Sequence, residues 1–293
     1  MIGEGTDYPL RGILSVPDNT AGKVPAVVLV HGSGAHDMDE TIYENKPFRD
    51  IADYLASNGV AVMRYNKRTL TYGGKWAGDW TIKEETIQDA IFAAKILKSD
   101  PRIDGNRVFI IGHSLGGMLA PRIHSEGGDF AGIISLAGSP RFLLDISKDQ
   151  NYAIIKAIQN GEKKEQALKE MEQWDDYYAG FLNLPDSEAK NTSVPGWNGI
   201  SAYYLKDLYN NPVSKYVKDL NIPVLIMQGE KDTQVYANKD FTEWQNLLAG
   251  KENITFKLYE GLNHLFMRSV TYMIKDNVDA QVLADITDFV KSN

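Results

Sequence analysis

The stretch Asn106–Pro121, NRVFIIGHSLGGMLAP, constrains the fold more than any other part of the chain. Val108 to Ile111 form a wholly apolar run of β-branched and aromatic residues, which reads as a short buried strand. Gly112-His113-Ser114-Leu115-Gly116 comes next, and helical character follows at once. Strand, tight turn and helix in so few residues predict an α/β architecture with the turn at the carboxyl end of a sheet strand. A serine framed as G-x-S-x-G is the sequence form of a strained elbow, whose flanking positions must lack bulk. Ser114 Oγ is then lifted above the sheet, and the N–H of Leu115, at the start of the helix, is aimed at the same space. One turn would supply a nucleophile and a donor for an oxyanion.

Five residues are a weak signal, and the surrounding segments strengthen it. Tyr8 to Val16 reads as an opening strand or hairpin arm, ended by Pro17-Asp18-Asn19. Ala26 to Val30 is a continuous apolar run, as expected for a parallel strand buried on both faces. It ends in His31-Gly32-Ser33-Gly34, a glycine-rich loop from which the N–H of Ser33 or Gly34 is expected to be the second oxyanion donor. The polar, acidic Ala35 to Lys46 is expected to lie over the site. Phe48, Ile51, Ala52 and Leu55 form a helical stripe that Gly59 closes. Val60 to Tyr65 is the next buried strand. Beyond it, Tyr65 and Arg68 either line the rim of a substrate site or belong to a salt-bridged loop.

Thr71 to Asp79, with Gly73, Gly74, Trp76 and Gly78, reads as a flexible excursion, and Ile82 to Ser99 as a long covering helix without chemistry. Ala131 to Gly138 supplies another parallel strand. Alternating strands and helices predict a mostly parallel, doubly wound α/β sheet. After Pro140 the pattern changes. Residues 141–217 carry no strand signal and read as amphipathic helices, a cap inserted over the carboxyl edge of a core made of residues 1–140 and 218–293. Among the cap's aromatics, Trp174, Tyr178, Trp197 and Tyr203 serve either an apolar substrate pocket or the cap's own packing.

Sheet periodicity resumes at Ile222 to Met227, which leads into Gly229-Glu230-Lys231-Asp232. A strand at Ile254 to Tyr259 precedes Glu260-Gly261-Leu262-Asn263-His264, and a helix near Val278 to Val290 closes the chain. Serine, acid and histidine, each just past a strand end, form the order of a Ser-Asp-His triad. Ser114 is the expected nucleophile and His264 the general base. The acid is Asp232 or Glu230, with Asp232 preferred because a turn three residues after Gly229 points it back toward the site. The other histidines are His31, His36, His113 and His124. His36 with Asp37, Asp39 and Glu40 lacks the spacing of a metal motif, so no metal and no cofactor are expected.

Composition removes other classes. Zero cysteines exclude disulfides and a thiol nucleophile, and a net charge of −8 repels nucleic acid and anionic lipid. No apolar run reaches the ~18 residues of a membrane span. Without a secretory pattern at the N-terminus the expected location is cytoplasmic, with a trimmed signal still open. The expected partner is a small-molecule ester, and a homodimer is open.

HGSG, RYNKR, GHSLGG, GEKD and GLNH, each after a strand, resemble the α/β-hydrolase superfamily. More narrowly, VLVHGSGAHDMDETIYENKPFRDIADYLASNGVAVMRYNKRT is similar to bacterial carboxylesterases of the esterase D and feruloyl (cinnamoyl) esterase kind. The resemblance implies a cofactor-free serine esterase with a helical cap, acting on short- to medium-chain or aryl carboxylic esters. A thioesterase, lactonase or acyltransferase could use the same triad, and a non-catalytic ligand binder could keep the fold.

Overall fold

The computed structural model describes the chain except residues 19–20, 76–78 and 198. The turn read at Asn19 and part of the glycine-rich excursion, with Trp76 and Gly78, lie outside the described residues. The larger of two compact units comprises Met1–Lys75, Lys83–Pro140 and Val213–Asn293. It is built on a seven-stranded sheet.

In chain order this unit runs β1 (Gly12–Ser15), β2 (Val24–Val30), α1 (Pro47–Ser57), β3 (Ala61–Tyr65) and α2 (Arg68–Tyr72). Then follow α3 (Gln88–Ser99), β4 (Ile103–His113), α4 (Leu115–Ile123) and β5 (Ile133–Leu136). After the second unit, which holds α5 (Leu143–Ala157), α6 (Gly161–Glu172), α7 (Trp174–Leu182), α8 (Asp186–Ala189) and α9 (Ala202–Asn210), come α10 (Val213–Val217), β6 (Val224–Gly229), α11 (Thr242–Leu247), β7 (Ile254–Tyr259) and α12 (Ala280–Ser292). The sheet order is β1-β3-β2-β4-β5-β6-β7, with β1 antiparallel to β3 and every other pair parallel. The strand expected over Tyr8 to Val16 is therefore a short antiparallel edge strand.

Every residue of β2, β3 and β6 is buried, which accounts for their unbroken apolar runs: both faces are covered by helices. One cluster joins Val27 and Leu29 of β2 and Phe109 and Ile111 of β4 to Phe48, Ile51 and Leu55 of α1 and to Val282, Ile286 and Val290 of α12. Alternation along β2 and β4 selects these residues, since side chains two apart share a face. Strand order reverses at β2, which has β3 on one side and β4 on the other. Such a switch point opens a crevice outside the carboxyl ends of the strands. HGSG follows β2 and the Ser114 turn follows β4, so the topology makes them neighbours.

The second unit comprises Arg141–Pro212 with Trp76–Ile82. It ends five residues earlier than the expected 217 because α10 packs on α4 of the larger unit, burying Val213 and Val217. Among the described residues no helix is long and apolar enough to cross a membrane.

Candidate active site

Ser114 takes φ 53° and ψ −115°, a backbone conformation that non-glycine residues avoid. The strain is held from both sides. Ser114 N–H donates to Leu136 O at 2.8 Å, and Met118 N–H donates to Ser114 O at 3.0 Å, which ties the turn to β5 and starts α4. The elbow glycines are required by close approach: a Cβ on Gly112 would collide with Gly116 O, and one on Gly116 with Val30 O. Leu115 begins α4, where a backbone N–H has no partner within the helix. Ser114 itself is half-buried.

His264 and Asp232 meet from separate loops. His264 Nδ1–H donates to Asp232 Oδ2 at 2.7 Å, and both side chains are buried. Asp232 also accepts from Gln228 Nε2 at 2.8 Å and from the N–H groups of Gln234 and Val235 at 2.7 and 3.0 Å. Burial disfavours its charge, but His264 and these amides outweigh burial and hold the carboxyl below its ordinary range. Committing Nδ1–H to a carboxylate leaves Nε2 as the imidazole's basic nitrogen. Glu230, the other candidate acid, instead accepts from Gly261 N–H at 3.0 Å and lacks this contact with His264. Gln228, buried on β6, has no sequence signal beyond lying four residues before the acid.

The HGSG loop is braced by charged residues to which the sequence reading gave no such role. Gly32 N–H donates to Glu40 Oε1 at 2.7 Å, and Gly32 O accepts from Lys67 Nζ at 2.7 Å. Glu40 is 1% exposed, and its Oε2 lies 3.0 Å from His113 Nδ1. His113 Nε2–H donates to His264 O at 3.0 Å. Burial opposes both charges, yet Glu40 is pulled down to about 2 by His113, and His113 is raised above its ordinary value by Glu40 and the His264 carbonyl. Glu40 and His113, buried against each other, thus join the HGSG loop, the elbow and the His264 loop. His31 donates through Nε2 to Asp37 O at 2.9 Å and packs on Phe48 and Tyr65; burial pushes its pKa down to about 3, so it stays neutral.

The acidic stretch 35–46, expected to lie over the site, is tied down by its own side chains. Asp37 accepts from Asp39 N–H, Thr41 N–H and Thr41 Oγ1–H, and Asp39 pairs with Arg64 and Lys46. Among the described residues no group of three His, Asp or Glu side chains could hold a metal ion. Tyr65 corrects an expectation: only 2% exposed, it packs edge-on against His31 instead of lining a substrate rim. Arg68 is buried too, with Nε and Nη2 on Asp89 at 3.1 and 2.5 Å, so the salt-bridged reading of that segment holds. The helix expected at Ile82 to Ser99 begins as a wide turn, Lys83–Ile87, and is not merely a cover. Its Glu85 and Asp89 carry the counter-charges of Lys67 and Arg68.

Within the helical unit, Tyr178 is buried among Trp174, Tyr177, Phe181 and Trp197, and its hydroxyl accepts from Trp197 Nε1 at 3.0 Å. Tyr178 therefore serves that unit's packing. Trp174, Trp197 and Tyr203 are half-buried, the last beneath Lys190 Nζ at 4.8 Å from the ring centre. Ser33 and Gly34 are exposed, with Ser33 O accepting from His36 Nε2 at 2.7 Å and Gly34 O from Thr69 Oγ1 at 3.1 Å.

Residues 27–270 match the alpha/beta hydrolase family. Esterase EstD of Thermotoga maritima is 36% identical over 286 residues, covering 94% of this chain. The chain spans 64% of that relative's length. Among solved structures, Est1E from Butyrivibrio proteoclasticus aligns at TM-score 0.59 and 17% identity, over 97% of this chain and 92% of its own. Proline iminopeptidase from Mycobacterium smegmatis aligns at 0.64 and 16%, over 100% and 96%. At those identities the two structures speak for the fold alone.

Proposed function

The chain belongs to the alpha/beta hydrolase family, and we propose that within it the protein is a serine carboxylesterase acting on short- to medium-chain or aryl esters. The observation that carries the reading is the 2.7 Å contact of His264 Nδ1 with Asp232, in a chain whose strained elbow presents Ser114. Ser114 Oγ attacks the ester carbonyl carbon as its proton passes to His264 Nε2, and the carbonyl electrons move onto oxygen. Asp232 keeps the imidazole in the tautomer that accepts at Nε2 and stabilises it once charged. The oxyanion is received by the N–H of Leu115 and a donor from Ser33 or Gly34. Collapse expels the alcohol, which takes the proton from His264, and leaves an acyl group on Ser114. Water then attacks the acyl carbon, giving its proton to His264; collapse releases the carboxylic acid and restores Ser114.

Likeness to Esterase EstD favours an ester over other acyl donors, and Est1E, which shares the fold, has been solved with ferulic acid bound. Initial rates on p-nitrophenyl acetate, butyrate and octanoate and on methyl ferulate test the reading. Turnover by the wild type should vanish in both Ser114→Ala and His264→Ala, because the two groups act as a unit. Full activity in either purified variant would sink it.

A further inference from the structure

The peptide between Gly32 and Ser33 is gripped from inside the protein. Lys67 Nζ donates to Gly32 O at 2.7 Å and pairs with Glu85 Oε1 at 2.8 Å. Its side chain is 2% exposed, a depth at which an ammonium is tolerated only when acceptors replace its lost water. The carbonyl of one loop glycine is among those acceptors. A trans peptide is planar with its C=O and N–H antiparallel, so holding Gly32 O on Lys67 turns the Ser33 N–H the opposite way.

Sheet order says where that is. Lys67 follows β3 on one side of β2, whereas Ser114 follows β4 on the other. A Gly32 carbonyl drawn to the β3 side leaves the Ser33 N–H facing the β4 side, where the elbow stands. The loop is close enough for this to matter: a Cβ added to Gly32 would stand 3.1 Å from Ser114 Cβ. Glycine at position 32 makes the reverse peptide orientation accessible at little steric cost, so something else must select the orientation.

We propose that Lys67, locked by Glu85, is the positioning residue of the oxyanion hole, holding the Gly32–Ser33 peptide with the Ser33 N–H toward the oxygen of the Ser114 adduct. This selects Ser33 over Gly34 as the second donor and rests on the serine-esterase reading above. Lys67 touches no reacting atom; it acts through the peptide.

The test compares wild type, Lys67→Met, Glu85→Gln and Ser114→Ala on p-nitrophenyl butyrate, with near-ultraviolet circular dichroism to establish folding. Affinity is measured for an alkyl trifluoromethyl ketone, whose serine adduct carries the oxyanion, and for butyrate, which does not form one. Folded Lys67→Met should lose ~100-fold in kcat, the scale of one lost oxyanion donor, with KM nearly unchanged. The ketone should weaken by a similar factor and butyrate should not. Glu85→Gln, which leaves the ammonium in place but unlocks it, should show the same pattern in smaller measure, and decides the matter if Lys67→Met does not fold. Unchanged kcat and ketone affinity in the folded variants overturns the proposal, as does an equal loss of butyrate and ketone binding. An inactive wild type, or an active Ser114→Ala, would remove the esterase reading and this one with it.

Discussion

The elbow and the HGSG loop lie side by side on one sheet edge and are stabilised in opposite ways. The elbow is held by its own sequence: two glycines that let Ser114 enter a strained turn, with hydrogen bonds to the neighbouring β5 and to the helix it starts. The HGSG loop is held by side chains from elsewhere, Glu40 on the Gly32 N–H and Lys67 on the Gly32 carbonyl, and each sits against a buried ionisable partner, His113 and Glu85. A loop rich in glycine cannot hold its own peptides in one orientation, so the fold spends two buried pairs of ionisable side chains on it. The cost is desolvation, and the return is a fixed geometry.

The sharpest way to break this comparison is to unbalance a brace. Glu40→Gln leaves His113 without its counter-charge and should cost about 3–5 kcal/mol of stability in urea denaturation. Adding His113→Gln should recover part of that loss, because the remaining buried groups are neutral. The pair also sets limits in pH. Glu40 is depressed to about 2 from 4.5, so its contribution is complete above pH 4.5 and lost as pH falls toward 2. His113 is raised, so its contribution is complete below its unfolded value of 6.5 and lost as pH climbs through the higher folded one. Urea midpoints measured against pH should therefore fall at both ends in the wild type and be flatter there in the double variant.

Next in size is the elbow. Gly116→Ala drives a Cβ into Val30 O on β2, and should cost about 1–3 kcal/mol with loss of ester turnover. An alanine accepted there without change in the urea midpoint would mean that the close approach is not required. The smallest effect is expected at the exposed end of the loop. His36→Ala removes the bond to Ser33 O and should cost about 1 kcal/mol or less, leaving KM unchanged in steady-state kinetics. A larger loss would make His36 a third brace and weaken the assignment to buried charges.

Much of this was legible in the chain because it depends on local chemistry. Unbroken apolar runs such as Ala26 to Val30 mark strands buried on both faces, and glycine after a strand marks a tight exit. Ser114, Asp232 and His264 each stand just past such an exit. Parallel pairing then brings those exits to one edge. Periodicity also marked the Ile82 to Ser99 helix as a cover, yet it could not tell that Glu85 and Asp89 turn inward to meet Lys67 and Arg68. Tyr65 misled for a related reason: a strand's last residue reads as a rim residue, and only packing against His31 seals it.

By itself, then, the sequence determined the strand runs, the elbow and the order of serine, acid and histidine, since these rest on side-chain periodicity and backbone sterics within a few residues. Tertiary structure alone brought Asp232, the acid the sequence preferred, rather than Glu230 onto His264, and Lys67 onto the Gly32 carbonyl. Asp232 and His264 are 32 positions apart, and Lys67 and Gly32 are 35 apart. Such contacts depend on the register of neighbouring strands and on burial, which makes a charge seek its partner. Neither property is local to the residues that make the contact.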